Sequence, residues 1–333
     1  MKKVLVTGAS GFIGFYIAKH LADHGDQVTV IDNFTRNNPD ADFLALTQKE
    51  NVKFIQADLT ERKYYQELDS YYDEIYHLAA INGTKYFYSK PYEVLRVNIL
   101  SLMTLLEWTN PENCGKFIFT SSSEAYAGTI SSFGQEFDFL PSKEDIPLCI
   151  NDIFNERFSY GGSKLAGELL TVNYYKKVKV PYAIIRYHNI YGPRMGFEHV
   201  IPEFCKRIHL NENPFKVYGG DQTRAFCYID DAVLATVAVM RNAQTTNEVF
   251  HIGNDTEEIR IDDLASKLLA LSGSSNSIQI EEAPKGSVLR RCPDISKLKF
   301  KTGFNPAITL EEGLSKTMTW YANKYAEMEA STK

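Results

Sequence analysis

The chain has 333 residues, 44% of them hydrophobic and 23% charged, and a formal net charge of −6. That size holds one large domain or two modest ones, and the composition is ordinary for a soluble globular chain. The acidic balance gives no general pull toward nucleic acid or membrane, so neither is an expected partner, and an anionic ligand would need local cations.

The five cysteines, Cys114, Cys149, Cys205, Cys227 and Cys292, are scattered without a C-x-x-C pair. This speaks against a zinc site or a disulfide framework, so no metal is expected, and it fits a reducing cytoplasm. Only Val4, Leu5 and Val6 separate Lys2 and Lys3 from Thr7. That run is too short for an export signal, and no run is long enough to span a bilayer.

Val4 to Val6 reads as a short buried parallel strand. Gly8, Gly11 and Gly14 follow in a G-x-x-G-x-x-G spacing, and Phe12 to Ala22 has helical periodicity. A strand that breaks on glycine and restarts as a helix makes an anion site. The glycines admit a pyrophosphate to the backbone, and the helix start supplies free N–H groups. Gly8, Gly11, Phe12, Ile13 and Gly14 are therefore candidate cofactor residues. A second strand, Gln27 to Ile31, ends at Asp32, whose carboxylate suits ribose hydroxyls and repels a 2′-phosphate; Asn33 follows. This predicts a dinucleotide site for NAD rather than NADP, with Arg36 the nearby cation that would oppose the preference.

The alternation continues. A helix is expected to end near Lys49, and Val52 to Gln56 is strand three, followed by Asp58 and Leu59. Asp58 can accept from an adenine amino group or cap a helix over Tyr64 to Leu68. Glu74 to Leu78 is strand four, with the small Ala79 and Ala80 leaving room beside the sheet. Tyr92 to Thr109 is an apolar helix, Lys116 to Thr120 strand five, Ser163 to Lys176 a second helix, and Tyr182 to Ile185 strand six. This β-α order predicts an α/β fold, a Rossmann-type doubly wound parallel sheet over 1–190. Residues 130–157 are a non-periodic, lid-like insertion. From Tyr191 the pattern turns irregular, which predicts a smaller C-terminal α/β substrate domain over 191–333, with some chain crossing between the two. It has helices over Asp262–Leu271 and Leu310–Tyr325 and extended pieces at Glu248–Ile252 and Ser277–Glu281.

Strand five runs into Ser121-Ser122-Ser123-Glu124, and Tyr160-Gly-Gly-Ser-Lys164 lies further on. Residues four apart share a helix face, so Lys164 can favour the Tyr160 phenolate and make it a general base. A strand-end serine can hydrogen-bond the substrate hydroxyl. Tyr160, Lys164, Ser122, Ser123 and Glu124 are the candidate catalytic residues, although Glu124 also reads as a cap on the next turn.

With these residues in hand the chain resembles an extended short-chain dehydrogenase/reductase of the nucleotide-sugar epimerase, dehydratase and decarboxylase group. The likeness spans nearly the whole length. It rests on Thr7 to Gly14, Asp32-Asn33, His77 to Ala80, Asn98, Ser121 to Glu124, Tyr160 to Lys164, Arg186 to Arg194 and Arg224 to Asp231. The resemblance implies that Asn98 and Tyr187 join the cofactor site. It also implies that Asn189, Arg194, Val200, Lys216, Tyr218, Arg224 and either Arg290 or Arg291 hold a nucleotide-diphosphate sugar. Dehydratases of the group carry Asp-Glu where this chain has Ser123-Glu124, whereas nucleotide-glucuronate decarboxylases carry Thr-Ser-Glu and an Arg before Pro-Asp, like Arg291. His188 departs from the Phe that many decarboxylases carry. The resemblance therefore implies oxidation at sugar C4 by NAD, followed by decarboxylation of a uronate or by epimerisation. Dehydration and net dehydrogenation are less favoured, and an NAD-sensing protein without catalysis is the alternative of a different class. It also implies a homodimer, or a tetramer of dimers, paired through the two apolar helices.

Overall fold

Val4 and Val6 point to one side of their strand and Leu5 to the other, and all three are fully buried, in two different apolar cores. A strand covered on both faces is what a parallel sheet between helix layers requires. The computed structural model describes residues 1–35, 39–133, 139–283 and 287–332. Arg36 and residues 134–138 of the insertion lie outside the described residues.

The strands in chain order are β1 (Lys3–Thr7), β2 (Gln27–Asp32), β3 (Val52–Gln56), β4 (Tyr72–His77), β5 (Cys114–Ser122), β6 (Tyr182–Tyr187), β7 (Ile190–Tyr191), β8 (Phe215–Tyr218), β9 (Thr223–Ala225), β10 (Cys227–Tyr228), β11 (Glu248–Ile252), β12 (Glu258–Arg260), β13 (Ile278–Glu281) and β14 (Arg290–Arg291). The helices are α1 (Phe12–Asp23), α2 (Ala41–Thr47), α3 (Thr84–Ser89), α4 (Pro91–Trp108), α5 (Ala127–Phe133), α6 (Phe158–Val178), α7 (Val200–His209), α8 (Ile229–Arg241), α9 (Ile261–Ser272), α10 (Ser296–Thr302) and α11 (Leu310–Thr332).

The main sheet has the order β11-β6-β5-β4-β1-β2-β3, and every pair in it is parallel. The order reverses between β1 and β4, so a crevice opens at the carboxyl ends of these strands, where α/β sheets bind ligands. On one face Leu102, Leu105 and Leu106 of α4 join Phe117 and Ile184 of the sheet; on the other, α1 and α8 cover Val4, Val6 and Val30. Each such leucine stabilises the fold by roughly 1.5–3 kcal/mol.

Two readings change. Glu248–Ile252, read with the smaller domain, is the seventh strand of the main sheet, paired with β6 from Glu248–Ala183 to Ile252–Tyr187. Its partner lies far away in sequence, and no local pattern names it. The described part of the insertion from residue 139 on is tied to the main sheet rather than standing free. Ser142 bridges to Pro293, the Arg186 Nη1 donates to the Glu144 carbonyl at 2.9 Å, and the Glu144 carboxylate accepts from the His251 N–H at 3.0 Å. The insertion therefore caps the carboxyl ends of β6 and β11. β9, β12 and β14 form a small sheet of their own, and β8 pairs with β13.

Candidate active site

A cleft of about 740 Å³ runs along the carboxyl ends of the strands. One end is built by the glycine turn. Gly8 sits at φ +70°, and a Cβ there would lie 2.7 Å from the Ala79 nitrogen. A Cβ on Gly14 would strike the Gly8 carbonyl. Gly11 is the N-cap of α1 and brings no side-chain cap, and the first turn holds no acid, so the helix start offers its N–H groups outward. Phe12 and Ile13 line the same wall. Asp32 is fixed facing this end: its carboxylate accepts from the Ser10 N–H at 3.0 Å and the Phe34 N–H at 2.9 Å. Asn33, Asp58, Leu59, Leu78, Ala79 and Ala80 also line the cleft. Asp58 closes a local turn onto the Thr60 N–H at 2.9 Å instead of capping a helix. A glycine-walled helix start beside a fixed acid fits the pyrophosphate and ribose of a dinucleotide.

Thr7, not anticipated as a site residue, holds the floor. Its hydroxyl accepts from the Leu78 and Ala79 N–H groups, both at 3.2 Å, and lies 2.9 Å from His77 Nδ1. Asn98 was expected on the cofactor but does not line the cleft. Its amide is used up bracing the Ile81 backbone and the Ser163 hydroxyl. Tyr187 lines the cleft, and its hydroxyl meets that of Thr236 at 2.7 Å.

At the middle, α6 begins two residues ahead of Tyr160, so Tyr160 and Lys164 do share a helix face. The Tyr160 ring stacks on Phe87 at 4.8 Å and 11°. The Lys164 ammonium stands 5.5 Å from the centre of that ring and donates to the Thr120 carbonyl at 2.8 Å. Burial pushes Lys164 down to about 8, against the opposing pull of Glu168, so it is still mostly charged at neutral pH. Ser122 and Ser123 line the cleft beside them, and the Ser122 hydroxyl accepts from the Glu124 N–H at 3.2 Å. Ser121 also lines the cleft, and its hydroxyl donates to Glu168 at 2.6 Å.

Glu124 is a buried anion rather than a plain turn residue. Arg157 grips its carboxylate through Nε and Nη2 at 3.1–3.2 Å, and Arg291 Nη1 reaches it at 2.7 Å. Burial alone would raise this carboxyl; the Arg291 and Arg157 charges outweigh it and hold it at about 2. Arg157 was not anticipated, although its place three residues before Tyr160 puts it one helical turn away. Arg290 pairs with Glu258 at 2.8 Å and does not line the cleft, so of these two arginines it is Arg291 that faces it.

Arg224 also lines the cleft. It is held by the Thr223, Leu289 and Val288 carbonyls and the Gln222 side-chain oxygen, and no carboxylate among the described residues pairs with it. Burial, reinforced by the Arg291 charge, pushes it down to about 9. An incoming anion would relieve that cost. Asn189, at φ +44°, donates to the Ala225 carbonyl at 3.1 Å, and Val200 and Tyr218 complete the far wall.

Two expected substrate residues sit elsewhere. Arg194 does not line the cleft. Its guanidinium lies 3.8 Å over the Phe15 ring and pairs with Asp40, the N-cap of α2, so it ties the irregular region to the nucleotide domain. Lys216 shares a strand face with Tyr218 but lies one pleat, about 6–7 Å, further back and misses the cleft. His188 is buried beside His251 at 4.5 Å, and neither ring nitrogen has a hydrogen-bond partner among the described residues.

Residues 4–253 match the profile of the NAD dependent epimerase/dehydratase family. The chain belongs to that family. It is an extended short-chain dehydrogenase/reductase, and NAD is its cofactor. The chain is 33% identical to UDP-N-acetyl-alpha-D-glucosaminuronate decarboxylase of Bacillus cytotoxicus, over 96% of this chain and 98% of that one. It is 30% identical to UDP-glucuronate 4-epimerase of Thermodesulfobacterium geofontis, over 95% of each. Among solved structures, UDP-glucuronic acid 4-epimerase from Bacillus cereus, in complex with UDP-glucuronic acid and NAD, superposes with a TM-score of 0.82 at 29% identity, covering 97% of this chain and 100% of that one. Among the described residues no helix is long and apolar enough to cross a membrane.

Proposed function

We propose that this family member decarboxylates a nucleotide-diphosphate uronate through a transient C4-keto sugar. The observation that carries the reading is the charge layout: Arg291 stands at the Tyr160 end of the cleft, and Arg224 has no carboxylate partner among the described residues. One such cation suits a diphosphate, and a further one beside the reacting sugar suits a carboxylate.

Tyr160, with its phenolate favoured by the nearby Lys164 ammonium, accepts the proton of the C4 hydroxyl. Ser122 and Ser123 are placed to hold that hydroxyl in line. The redox chemistry, removal of the C4 hydride and its return within one turnover, would be supplied by NAD held along the Gly8–Gly14 turn and Asp32. The C6 carboxylate is then β to the C4 ketone. The C5–C6 bond breaks, its electron pair moves into the C4–O4 enolate, carbon dioxide leaves, and C5 gains a proton. Tyr160 returns its proton to O4 as C4 is reduced.

Ser123 in place of an acid before Glu124 removes the donor that a departing C6 hydroxyl would need, which counts against dehydration. C4 epimerisation is the second reading, supported by the near-complete match to uronate 4-epimerases, because the same cations would hold the same uronate. Incubation with UDP-glucuronate, its N-acetylated analogue and UDP-glucose, with products resolved by mass spectrometry and NMR, tests the proposal. A product lighter by carbon dioxide is expected. A 4-keto-6-deoxy sugar or stoichiometric NADH would refute it.

A further inference from the structure

The Tyr160 ring is packed by a small cluster of its own and belongs to neither of the two larger cores around the sheet. The cluster holds Phe87, Val94 and Tyr160, with Ile81 and Tyr86 packed against them. Every neighbour in it comes from residues 81–94: on α3, just before it, or in the first turn of α4. The backbone of Tyr160 is fixed by other means. The Ser163 hydroxyl donates to the Tyr160 carbonyl at 2.7 Å, and the Asn98 amide donates to that hydroxyl at 3.1 Å. Those bonds do not fix the rotation of the ring about its own side-chain bonds. Lys164 does not fix it either, because its ammonium is held by the Thr120 carbonyl and stands 5.5 Å from the ring centre.

Phe87 supplies the missing constraint. Its ring lies 4.8 Å from that of Tyr160, centre to centre, with only 11° between the planes. Phe87 lines the cleft yet is 5% exposed, so its face is given to Tyr160 rather than to the open cleft. Its own backbone is mounted from both ends. The Phe87 N–H donates to the Gly83 carbonyl at 3.3 Å, and the Ser159 hydroxyl, beside Tyr160 in α6, donates to the Phe87 carbonyl at 3.4 Å. Ahead of α3, Asn98 Oδ1 accepts from the Ile81 N–H at 2.7 Å. A helix of six residues does not hold itself together in water, so these contacts and the stack place α3.

We propose that Phe87 is the positioning residue of Tyr160: its ring face fixes the angle at which the phenol oxygen meets the sugar hydroxyl. A proton acceptor has to be held within about 0.5 Å and 10–20° of its productive geometry by neighbours whose own rotamers are locked. Parallel stacking fixes the plane of both rings, whereas a branched aliphatic side chain fills the same space without choosing a plane. Lys164 then acts on the charge of the phenol and Phe87 on its place. The inference rests on Tyr160 as the proton acceptor, and it holds whether the C4-keto sugar loses carbon dioxide or is reduced from its other face.

The test compares Phe87→Leu, Phe87→Tyr and Tyr160→Phe with the parent. The substrate is the one that the parent turns over among UDP-glucuronate, its N-acetylated analogue and UDP-glucose. Turnover gives kcat and KM, and calorimetry gives NAD affinity. Phe87→Leu keeps an apolar side chain and loses the flat face. A misplacement of about half an ångström should lower its kcat about tenfold, with KM and NAD affinity within about twofold of the parent. Phe87→Tyr keeps the stacked ring and should restore kcat to within about twofold. If Phe87→Leu fails to bind NAD, Phe87→Met, which keeps more of the volume, carries the same expectation. Parent-like kcat in the aliphatic variant would overturn the proposal. So would a loss of substrate or NAD affinity as large as the loss of kcat, or an equal loss of kcat in Phe87→Tyr. Parent-like turnover by Tyr160→Phe would instead sink the reading of Tyr160 on which the proposal rests.

Discussion

Adjacent glycines at the start of α6 should behave in opposite ways. A Cβ on Gly161 would lie 2.8 Å from the backbone oxygen of Glu124, whereas ordinary contact begins at 3.4 Å. Neither partner is a flexible tip, so Gly161→Ala must lift the helix that carries Tyr160 and Lys164 away from Glu124. The shift is about half an ångström, and because about 1 Å of misplacement costs about 10²-fold, kcat should fall about tenfold. Overpacking should cost about 1–3 kcal/mol of stability. A Cβ on Gly162 would meet only the Ile150 Cδ1, at 3.2 Å. Ile150 is 39% exposed and can yield. Gly162→Ala should therefore leave kcat within about twofold and, by removing a helical glycine, gain about 0.5–1 kcal/mol. Product formation under saturating NAD and substrate reads the first effect, and thermal unfolding reads the second. Full activity in Gly161→Ala would show that the seat of α6 on Glu124 does not set the Tyr160 position.

Other outcomes follow from the same geometry. Tyr160→Phe keeps the ring on Phe87 and loses the proton acceptor, so NAD affinity by calorimetry should hold while kcat drops about 10²-fold or more; near-normal turnover would take Tyr160 out of the mechanism. His77, His188 and His251 are buried and held neutral by burial first, helped by Lys164 for His77, by His251 for His188 and by Arg186 for His251. Their folded pKa values lie below the unfolded value, so the unfolded chain binds more protons as pH falls. Stability present above about pH 6.5 should shrink by about 4 kcal/mol in all between pH 7.5 and 5.5, read by urea unfolding; an unchanged midpoint would contradict it. Tyr92, Leu95 and Met103 of α4 and Leu169 of α6 are exposed apolar side chains on two helices that pack together, which fits a two-fold bundle. Light scattering at micromolar concentration should give at least a dimer mass, and a monomer would remove that assignment.

What the sequence made legible was chemistry set by local spacing. The glycine turn works through atoms within a few residues of Gly8, and Tyr160 and Lys164 meet because four residues make one helical turn. The misses depend on contacts across the chain. Arg194 looks like a ligand cation beside Gly192 and Pro193, but its partner Asp40 lies 154 residues earlier. Asn98, expected on the cofactor, spends its amide on Ile81 and Ser163, both distant in sequence. β11 pairs with β6 by a register that no alternation of Glu-Val-Phe-His-Ile reveals. Arg157 was hidden because it ends a non-periodic segment, and its value comes only from Glu124 standing opposite. The close seat of α6 is also visible afterwards in Gly161 and Gly167, whose added Cβ atoms would strike Glu124 and the Phe119 ring.

The fate of C6 tests the central claim most directly. UDP-glucuronate labelled with carbon-13 at C6 is incubated with the NAD-loaded enzyme in heavy water and followed by carbon NMR. The account predicts that the C6 signal moves quantitatively into carbon dioxide and bicarbonate while a pentose nucleotide appears with one deuterium at C5. Retention of the label in an intact uronate of inverted C4 configuration would contradict it and make the enzyme an epimerase.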